Sequence, residues 1–401
     1  MSELAGRRLM HVTTSDMSLA LLLGPQLEAF ADAGMEVIGV SAPGPYVDQL
    51  LERGIAHIPL EHATRAVSVG HDLLAVKELQ RLFRRMRPDI VHTHNPKPGI
   101  YGRLAARAAG VPGIVNTVHG LYATPEDPLP RKAVVYALER LAATCSQVEL
   151  FQNPEDLAVM RRLGVPSDRL VLLGNGVDLQ RFRPRRGASD VARARASLGV
   201  DQSATVVGMV GRLVWGKGLR ELFASARMMR TIRPEVVFVI VGPEDDAKGD
   251  ALGPDDIAEA EAIGNVVFTG SRDDVEDLYA GFDLYVLPSY REGFPRSSME
   301  AAASGLPIVT TDVRGCRQAV DHEVTGLLVP LHDAAALALA IAALAGDPAR
   351  RGTMGARGRQ KAEAEFDDRS SISRTLDAYR RVPPPDPSRA EGRPPVPLTG
   401  P

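Results

Sequence analysis

A chain of 401 residues exceeds one ordinary domain, and its 44% hydrophobic content can supply a core to each of two. With 47 Lys and Arg against 50 Asp and Glu the net charge is −3, which excludes the basic excess of a nucleic-acid binder. Cys145 and Cys316 are too few for a disulfide framework, and the opening MSELAGRRLMHVTTSDM lacks the apolar core of a secretory signal, so a reducing cytoplasm is the expected setting.

Short β-branched runs alternate with helical patterns, as in a parallel sheet with crossover helices. In the first half, strands are predicted at residues 9–13, 36–40, 90–92, 114–117 and 149–152, with helices at 24–33 and 72–86 among their connections. In the 72–86 helix, Leu73, Val76, Leu79, Phe83 and Met86 repeat at helical spacing, while Lys77, Arg81, Arg84, Arg85 and Arg87 dominate the rest. The prolines and arginines of NGVDLQRFRPRRGASD, residues 175–190, interrupt the pattern and mark a domain boundary. TVVGMVG, VVFVIVG, VVFTG, DLYVLPS, PIVTT and GLLVP then restart it as continuous runs, the mark of strands buried on both faces. The apolar run from Ala334, AAALALAIAALAG, falls short of the roughly 20 residues that cross a bilayer and reads as a packed helix.

The expected fold is α/β: residues 1–183 form one doubly wound Rossmann-like domain and 184–366 a second, facing a central cleft. A last helix at 369–381 is expected to pack back on the first domain. Residues 382–401 are rich in proline and are expected to be a disordered tail.

Two stretches of the second half carry chemistry. GRLVWGKG, Gly211–Gly218, follows a strand and nearly matches a phosphate loop, but its eighth position is Gly218, without the hydroxyl that would hold magnesium. What remains is a glycine-rich turn with Arg212 and Lys217, which together can neutralise a diphosphate leaving group without a metal. The plain alternative is two solvated cations at a strand end. In SYREGFPRSSMEAAASG, Pro295 suits the first position of a helix, with Glu292 before it and Glu300 about a turn and a half inside. A helix N-terminus favours a phosphate, and the two carboxylates can meet hydroxyls on either side of it, as a nucleotide sugar requires. A capping acid plus a surface acid is the alternative. His92 and His94 share a strand face at i, i+2, but no third ligand is evident, so neither a metal nor any other cofactor is expected.

EGFPRSSME, GRLVWGKG, NGVDLQRF, ADAGMEVIGVSAPG, RPDIVHTHNPKPG and NTVHGLY occur in the order found in retaining GT-B glycosyltransferases of family 4, which the chain resembles over residues 9 to about 381. The resemblance is to bacterial enzymes of polysaccharide and lipid-linked glycan synthesis. It implies a hexosyltransferase that moves a sugar from a nucleotide-diphosphate donor, expected to be UDP-linked, to a glycan or polyprenyl-diphosphate-linked acceptor. Retention would follow from attack on the leaving-group face, the departing diphosphate taking the acceptor proton. Glu292 would meet donor-sugar hydroxyls, with Gly293, Phe294 and Pro295 beside it, and Glu300 the ribose. Gly211, Arg212 and Lys217 would hold the diphosphate, and Gly270, Ser271 and Arg272 would lie near the base. His119, at a strand end of the first domain, would contact the donor sugar across the cleft.

On the acceptor side, Ser15, Asp16 and Ser18 either cap the following helix or meet the acceptor, and His94 is placed with Ser15 and Asp16. The sequence departs from the family twice: TTSDMSLALLLG stands where many relatives have a Gly-Gly loop, and Gly216 replaces the acid of the usual E-K-G. Fold alone does not assign function. A sugar-nucleotide 2-epimerase and a non-catalytic sugar-nucleotide-binding scaffold are the two rivals. The lipid-linked acceptor and the basic 72–86 helix lead to an expected peripheral contact with anionic lipid on the inner face of the plasma membrane.

Overall fold

The computed structural model describes residues 3–63, 69–94, 96–123, 127–245, 249–384 and 392–396. Contacts divide the chain into two units, Met1–Leu173 with Ser371–Pro401, and Gly174–Ser370.

The first unit holds seven parallel strands: β1 (Arg8–Ser15), β2 (Glu36–Ala42), β3 (Ala56–Pro59), β4 (Ile90–His94), β5 (Gly113–Val118), β6 (Val148–Phe151) and β7 (Leu170–Leu172). They lie in the order β3-β2-β1-β4-β5-β6-β7, so the order reverses between β1 and β4. Helices α1 (Gly24–Asp32), α2 (Val47–Glu52), α3 (Val69–Met86), α4 (Lys97–Ala108), α5 (Leu129–Ala142) and α6 (Pro154–Arg162) connect them. Side chains of β1 alternate between two cores: Leu9 packs with Leu27 and Phe30 of α1, and Met10 and Val12 pack with Leu79 and Phe83 of α3. Strands β3 and β7 escape prediction because both are short edge strands; β3 carries His57 and ends in a proline, tolerated at an edge.

The second unit repeats the plan with α7 (Ala188–Leu198), β8 (Thr205–Val210), α8 (Leu219–Ile232), β9 (Val236–Val241), α9 (Pro254–Glu261), β10 (Val266–Phe268), α10 (Val275–Leu278), β11 (Leu284–Leu287), α11 (Arg296–Ala303), β12 (Ile308–Thr311), α12 (Arg314–Ala319), β13 (Gly326–Val329), α13 (Ala334–Ala345) and α14 (Pro348–Glu365). Its six parallel strands run β10-β9-β8-β11-β12-β13, and the order reverses between β8 and β11. Ligand crevices of doubly wound sheets open beyond the carboxyl ends of strands at such a reversal.

The division between the units falls before the one expected at residue 183. Val177 N–H donates to Phe366 O at 2.8 Å, and Phe182 is buried in the second core, so 174–183 already belong to the second unit. The Pro-Arg break marks only the loop before α7. The final helix, α15 (Asp368–Arg380), passes from one unit to the other, and its Ala378 and Tyr379 are buried in the core around Leu9 and Phe30.

In α3 the expected stripe holds at Leu79, Phe83 and Met86, with Val76 partly covered against the same core; Ala75 and Leu82 join it, and Leu73 in the first turn is exposed. Among the described residues no helix is long and apolar enough to cross a membrane.

The tail departs from expectation where it is described. Arg393 clasps the carboxylate of buried Asp89 with Nη2 at 2.5 Å and Nη1 at 3.0 Å, while Arg8 donates from its backbone to Asp89 at 2.8 Å and from Nη2 to Pro394 O at 3.0 Å. A charge clamp on a buried acid holds residues 392–396 against the first unit despite their proline content; the remainder of the tail, 385–391 and 397–401, lies outside the described residues. Replacing Arg393 with Ala leaves that acid short of a charged partner and should lower the unfolding free energy by about 1.5–3 kcal/mol. An unchanged urea midpoint would show that the clamp does not form in solution.

Candidate active site

Strand β8 ends at Val210, and the loop from Gly211 to α8 runs over the end of its neighbour β11. Gly218 has φ +75°, and a Cβ there would fall 1.9 Å from Pro288 O, so the close approach admits only glycine. Ser289 Oγ and Tyr290 N–H both donate to Gly216 O, at 3.2 and 3.0 Å. The acid missing at Gly216 is supplied from elsewhere: Asp250 accepts from Gly216 N–H at 3.2 Å through its carboxylate and from Trp215 N–H at 2.8 Å through its carbonyl.

The two motif loops then meet. Lys217 Nζ stands 2.6 Å from Glu292 Oε1, with side chains 21% and 12% exposed. Arg212 is set by a second acid, Asp245, at 2.5 Å. Each cation therefore already faces a carboxylate, and a diphosphate entering here would exchange one anionic partner for another. Gly211, Gly242 and Gly270 form a row across the ends of β8, β9 and β10: a Cβ on Gly242 would fall 1.9 Å from Gly211 O, and Gly242 N–H donates to Gly270 O at 2.9 Å. That row is a shelf of backbone. Ser271 is exposed, and Arg272 is turned to Asp274 at 2.6 Å and to Ser197 Oγ at 2.7 Å.

Pro295 is the residue before α11 rather than its first, since its ψ of 114° is extended and Arg296 begins the helix. Ser297 Oγ accepts from the Tyr285 hydroxyl at 2.6 Å. Glu300, one turn further, accepts from the Tyr279 hydroxyl at 3.0 Å and faces Arg296 Nε at 3.3 Å; burial pushes its carboxyl pKa up. Asn175 of the NGVD segment donates to Phe294 O at 3.2 Å, fixing the backbone beside Glu292. Sequence reasoning missed Gly315, where a Cβ would lie 2.6 Å from Gly293 and 2.7 Å from Glu292 O. The glycine in DVRGC directly after β12 was the available signal.

In the first unit the readings of Ser15 and Asp16 as helix caps do not hold. Neither side chain caps the π-helical turn at Ser18–Leu23. Asp16 instead accepts from Tyr46 N–H at 2.7 Å, and Ser15 Oγ faces Ser18 Oγ at 3.2 Å. His94 is buried, with Nε2 3.0 Å from His11 Nδ1 and Nδ1 2.9 Å from His119 Nε2, so it lies behind His119 and does not reach the surface. The third histidine that the sequence did not offer to His92 and His94 is His11, brought beside them because β1 and β4 pair at the strand-order reversal. Hydrogen bonds knit this trio: His92 Nδ1 meets the Tyr379 hydroxyl and its Nε2 meets Thr117 Oγ1, both at 2.7 Å. Burial lowers the pKa of His11 to about 3 and that of His119 to about 4, and holds His92 and His94 well below the usual range.

Two doubly wound parallel sheets, with a basic loop and an E-x7-E helix side by side in the second, define a GT-B glycosyltransferase. Residues 204–347 match the family described as Glycosyl transferases group 1, and residues 26–181 the one described as Glycosyltransferase Family 4. The chain is 32% identical over 294 residues to the UDP-Gal:alpha-D-GlcNAc-diphosphoundecaprenol alpha-1,3-galactosyltransferase of Escherichia coli, covering 72% of this chain and 74% of that one. It is 28% identical over 364 residues to the N,N'-diacetylbacillosaminyl-diphospho-undecaprenol alpha-1,3-N-acetylgalactosaminyltransferase of Campylobacter jejuni, covering 89% and 94%. Anabaena HepE in complex with UDP and glucose shares the fold at TM-score 0.76 and 21% identity, over 93% of this chain and 99% of that one. The chain belongs to this family of glycosyltransferases.

Buried His11, His92 and His94, together with the part-buried His119, make stability depend on pH. Each is neutral in the folded chain and takes up a proton on unfolding below its unfolded pKa of about 6.5. Their contribution is complete above that value and is lost as pH falls toward about 4, by up to about 1.4 kcal/mol per pH unit for each histidine. Urea unfolding at a series of pH values checks this: an equal unfolding free energy at pH 7 and pH 5 would contradict the neutral cluster, and His11→Phe should reduce the slope by one proton.

Proposed function

We propose that this glycosyltransferase moves a hexose from a UDP-linked donor, with retention at the anomeric carbon, to a polyprenyl-diphosphate-linked glycan in polysaccharide assembly. The observation that carries the reading is the Lys217–Glu292 pair beyond the adjoining ends of β8 and β11, just before α11. The names of the Escherichia coli and Campylobacter jejuni relatives, both of which act on undecaprenol-diphosphate glycans, support the acceptor class.

In this reading Arg212 and Lys217 hold the diphosphate and neutralise the charge that grows as its bond to the anomeric carbon breaks. The acceptor oxygen forms its bond on the same face, and its proton passes to the departing phosphate oxygen. Glu292 accepts from donor-sugar hydroxyls, and Glu300, steadied by Tyr279, accepts from the ribose. Gly293 and Phe294 offer backbone groups to the donor, and the backbone shelf around Gly270 supports the base. His119 acts on the donor sugar as a neutral imidazole. Two cations and a helix N-terminus supply the positive charge, so no divalent ion is required.

Product analysis with UDP- and GDP-sugar panels and lipid-linked acceptors tests the reaction; an inverted linkage, or an epimerised donor without transfer, would sink it. Arg212→Ala and Lys217→Ala should each lower kcat/KM roughly 10- to 150-fold, in EDTA as in magnesium. Glu300→Gln should mainly weaken free UDP, and Glu292→Gln should mainly lower turnover. Equal loss of UDP affinity in the two would contradict this division.

The same reading places the enzyme at the inner face of the plasma membrane. Lys77, Arg81, Arg84 and Arg85 of α3 are exposed, and basic groups near an anionic surface contribute about 1 kcal/mol each. Helix α5 adds Leu129, Val134, Leu138 and Leu141, all exposed. Binding to liposomes should grow with anionic lipid, fall with salt, and drop in the triple variant Arg81→Glu, Arg84→Glu, Arg85→Glu. Indifference to anionic liposomes would remove the membrane reading and leave the transferase intact.

A further inference from the structure

The first unit contains a continuous row of hydrogen bonds running from the last helix to His119. The Tyr379 hydroxyl on α15 lies 3.1 Å from His11 Nε2, His11 Nδ1 lies 3.0 Å from His94 Nε2, and His94 Nδ1 lies 2.9 Å from His119 Nε2. A branch leaves at Tyr379 through His92 to Thr117, at 2.7 Å for each step. The rings are packed as well as bonded: His11 and His94 stack at 5.2 Å between centroids, and Phe30 stacks on His11 at 5.7 Å. Gln152 engages the His119 side chain at the far end.

Proton counting couples the tautomers all along the row. A neutral imidazole has one donor and one acceptor, and a tyrosine hydroxyl has one proton. If that proton goes to His11 Nε2, His11 donates through Nδ1 to His94, and His94 donates through Nδ1 to His119. The His119 ring then accepts at Nε2 and carries its own proton on Nδ1. If Tyr379 donates to His92 instead, His92 passes its Nε2 proton toward Thr117, every bond of the row reverses, and His119 carries its proton on Nε2. A mixed row would set two donors or two acceptors face to face in a buried place, at a cost comparable to leaving a polar group unsatisfied. The tautomer of His119 is thus tied to a hydroxyl three hydrogen bonds away.

We propose that Tyr379, His11 and His94 are positioning residues that together hold His119 in a single tautomer and ring orientation. Burial supports this by keeping all four imidazoles neutral, so that no proton from solvent resets the row near neutral pH. The benefit to catalysis rests on the role proposed above for His119; the tautomer itself does not.

The test is long-range ¹H–¹⁵N correlation of histidine-labelled protein near pH 7.5, with the His119 signals assigned by their loss in His119→Gln. In the unsubstituted chain His119 should show one pure neutral tautomer. Tyr379→Phe, which keeps the ring against Phe30, and His11→Phe, which cuts the row one step later, should each move its two nitrogen shifts toward an average. In a transfer assay the same two variants should lose roughly 2- to 10-fold in kcat, the worth of one hydrogen bond, with donor KM unchanged. A mixed tautomer in the unsubstituted chain, or an unchanged pure one in both variants, would overturn the proposal. Averaged shifts with undiminished kcat would uphold it and would remove His119 from the reaction instead.

Discussion

The parallel pairing of β8 with β11 is the constraint on which the second unit's chemistry depends. Strand order reverses between these two neighbours, so the loops leaving their carboxyl ends diverge to opposite sides of the sheet and leave a gap between their roots. Lys217 and Glu292 are 75 residues apart in sequence and 2.6 Å apart in space because each lies a few residues beyond one of these strands. Gly218 against Pro288 and Gly315 against Glu292–Gly293 allow the backbones to close to that distance. Acids that touch neither motif in sequence, Asp245 and Asp250, complete the arrangement by anchoring Arg212 and the turn at Gly216. The site is therefore a property of sheet topology first and of the motifs second.

What was legible in the sequence follows from this. The strands of the second unit are mostly short apolar runs, as in VVFVIV of β9 and LYVL of β11, and a run buried on both faces can be read without knowing its neighbours. In the first unit, edge strands β3 and β7 lack such runs and were invisible. The domain boundary was placed by composition, at the Pro-Arg break, whereas the structure places it by hydrogen bonds from Val177 to Phe366, which no local pattern announces. The motif residues around Glu292 were readable because they are consecutive. His11 was not, since its significance comes only from register: it pairs with His92 across β1 and β4, 81 residues away.

The first unit also carries polar groups where apolar ones would pack more simply. Arg103 is fully buried with Glu139 at 2.6 Å and Glu149 at 2.7 Å, and Asn116 Nδ2 donates to Glu149 at 2.9 Å. This cluster ties α4 and α5 to β5 and β6 on one side of the sheet. On the other side the histidine row ties β1, β4 and β5 to α15. Networks of this kind contribute little net stability, but each member is strongly destabilising to remove alone. They fix relative placement of elements whose apolar faces alone would tolerate a shift, and β5, which ends one residue before His119, is gripped from both faces.

Asp89 accepts from the backbone N–H of Arg8, 81 residues before it, and from the guanidinium of Arg393, 304 residues after it. Tyr379, which joins the histidine row, also comes from the far end. The ribosome therefore finishes the first sheet long before it delivers the groups that complete its polar interior. From Leu172 at the end of β7 to Arg393 is 393 − 172 = 221 residues, an interval that at 5–20 residues per second takes about 11–44 s. During it the nascent first unit holds a buried acid without its guanidinium partner and histidines without their tyrosine.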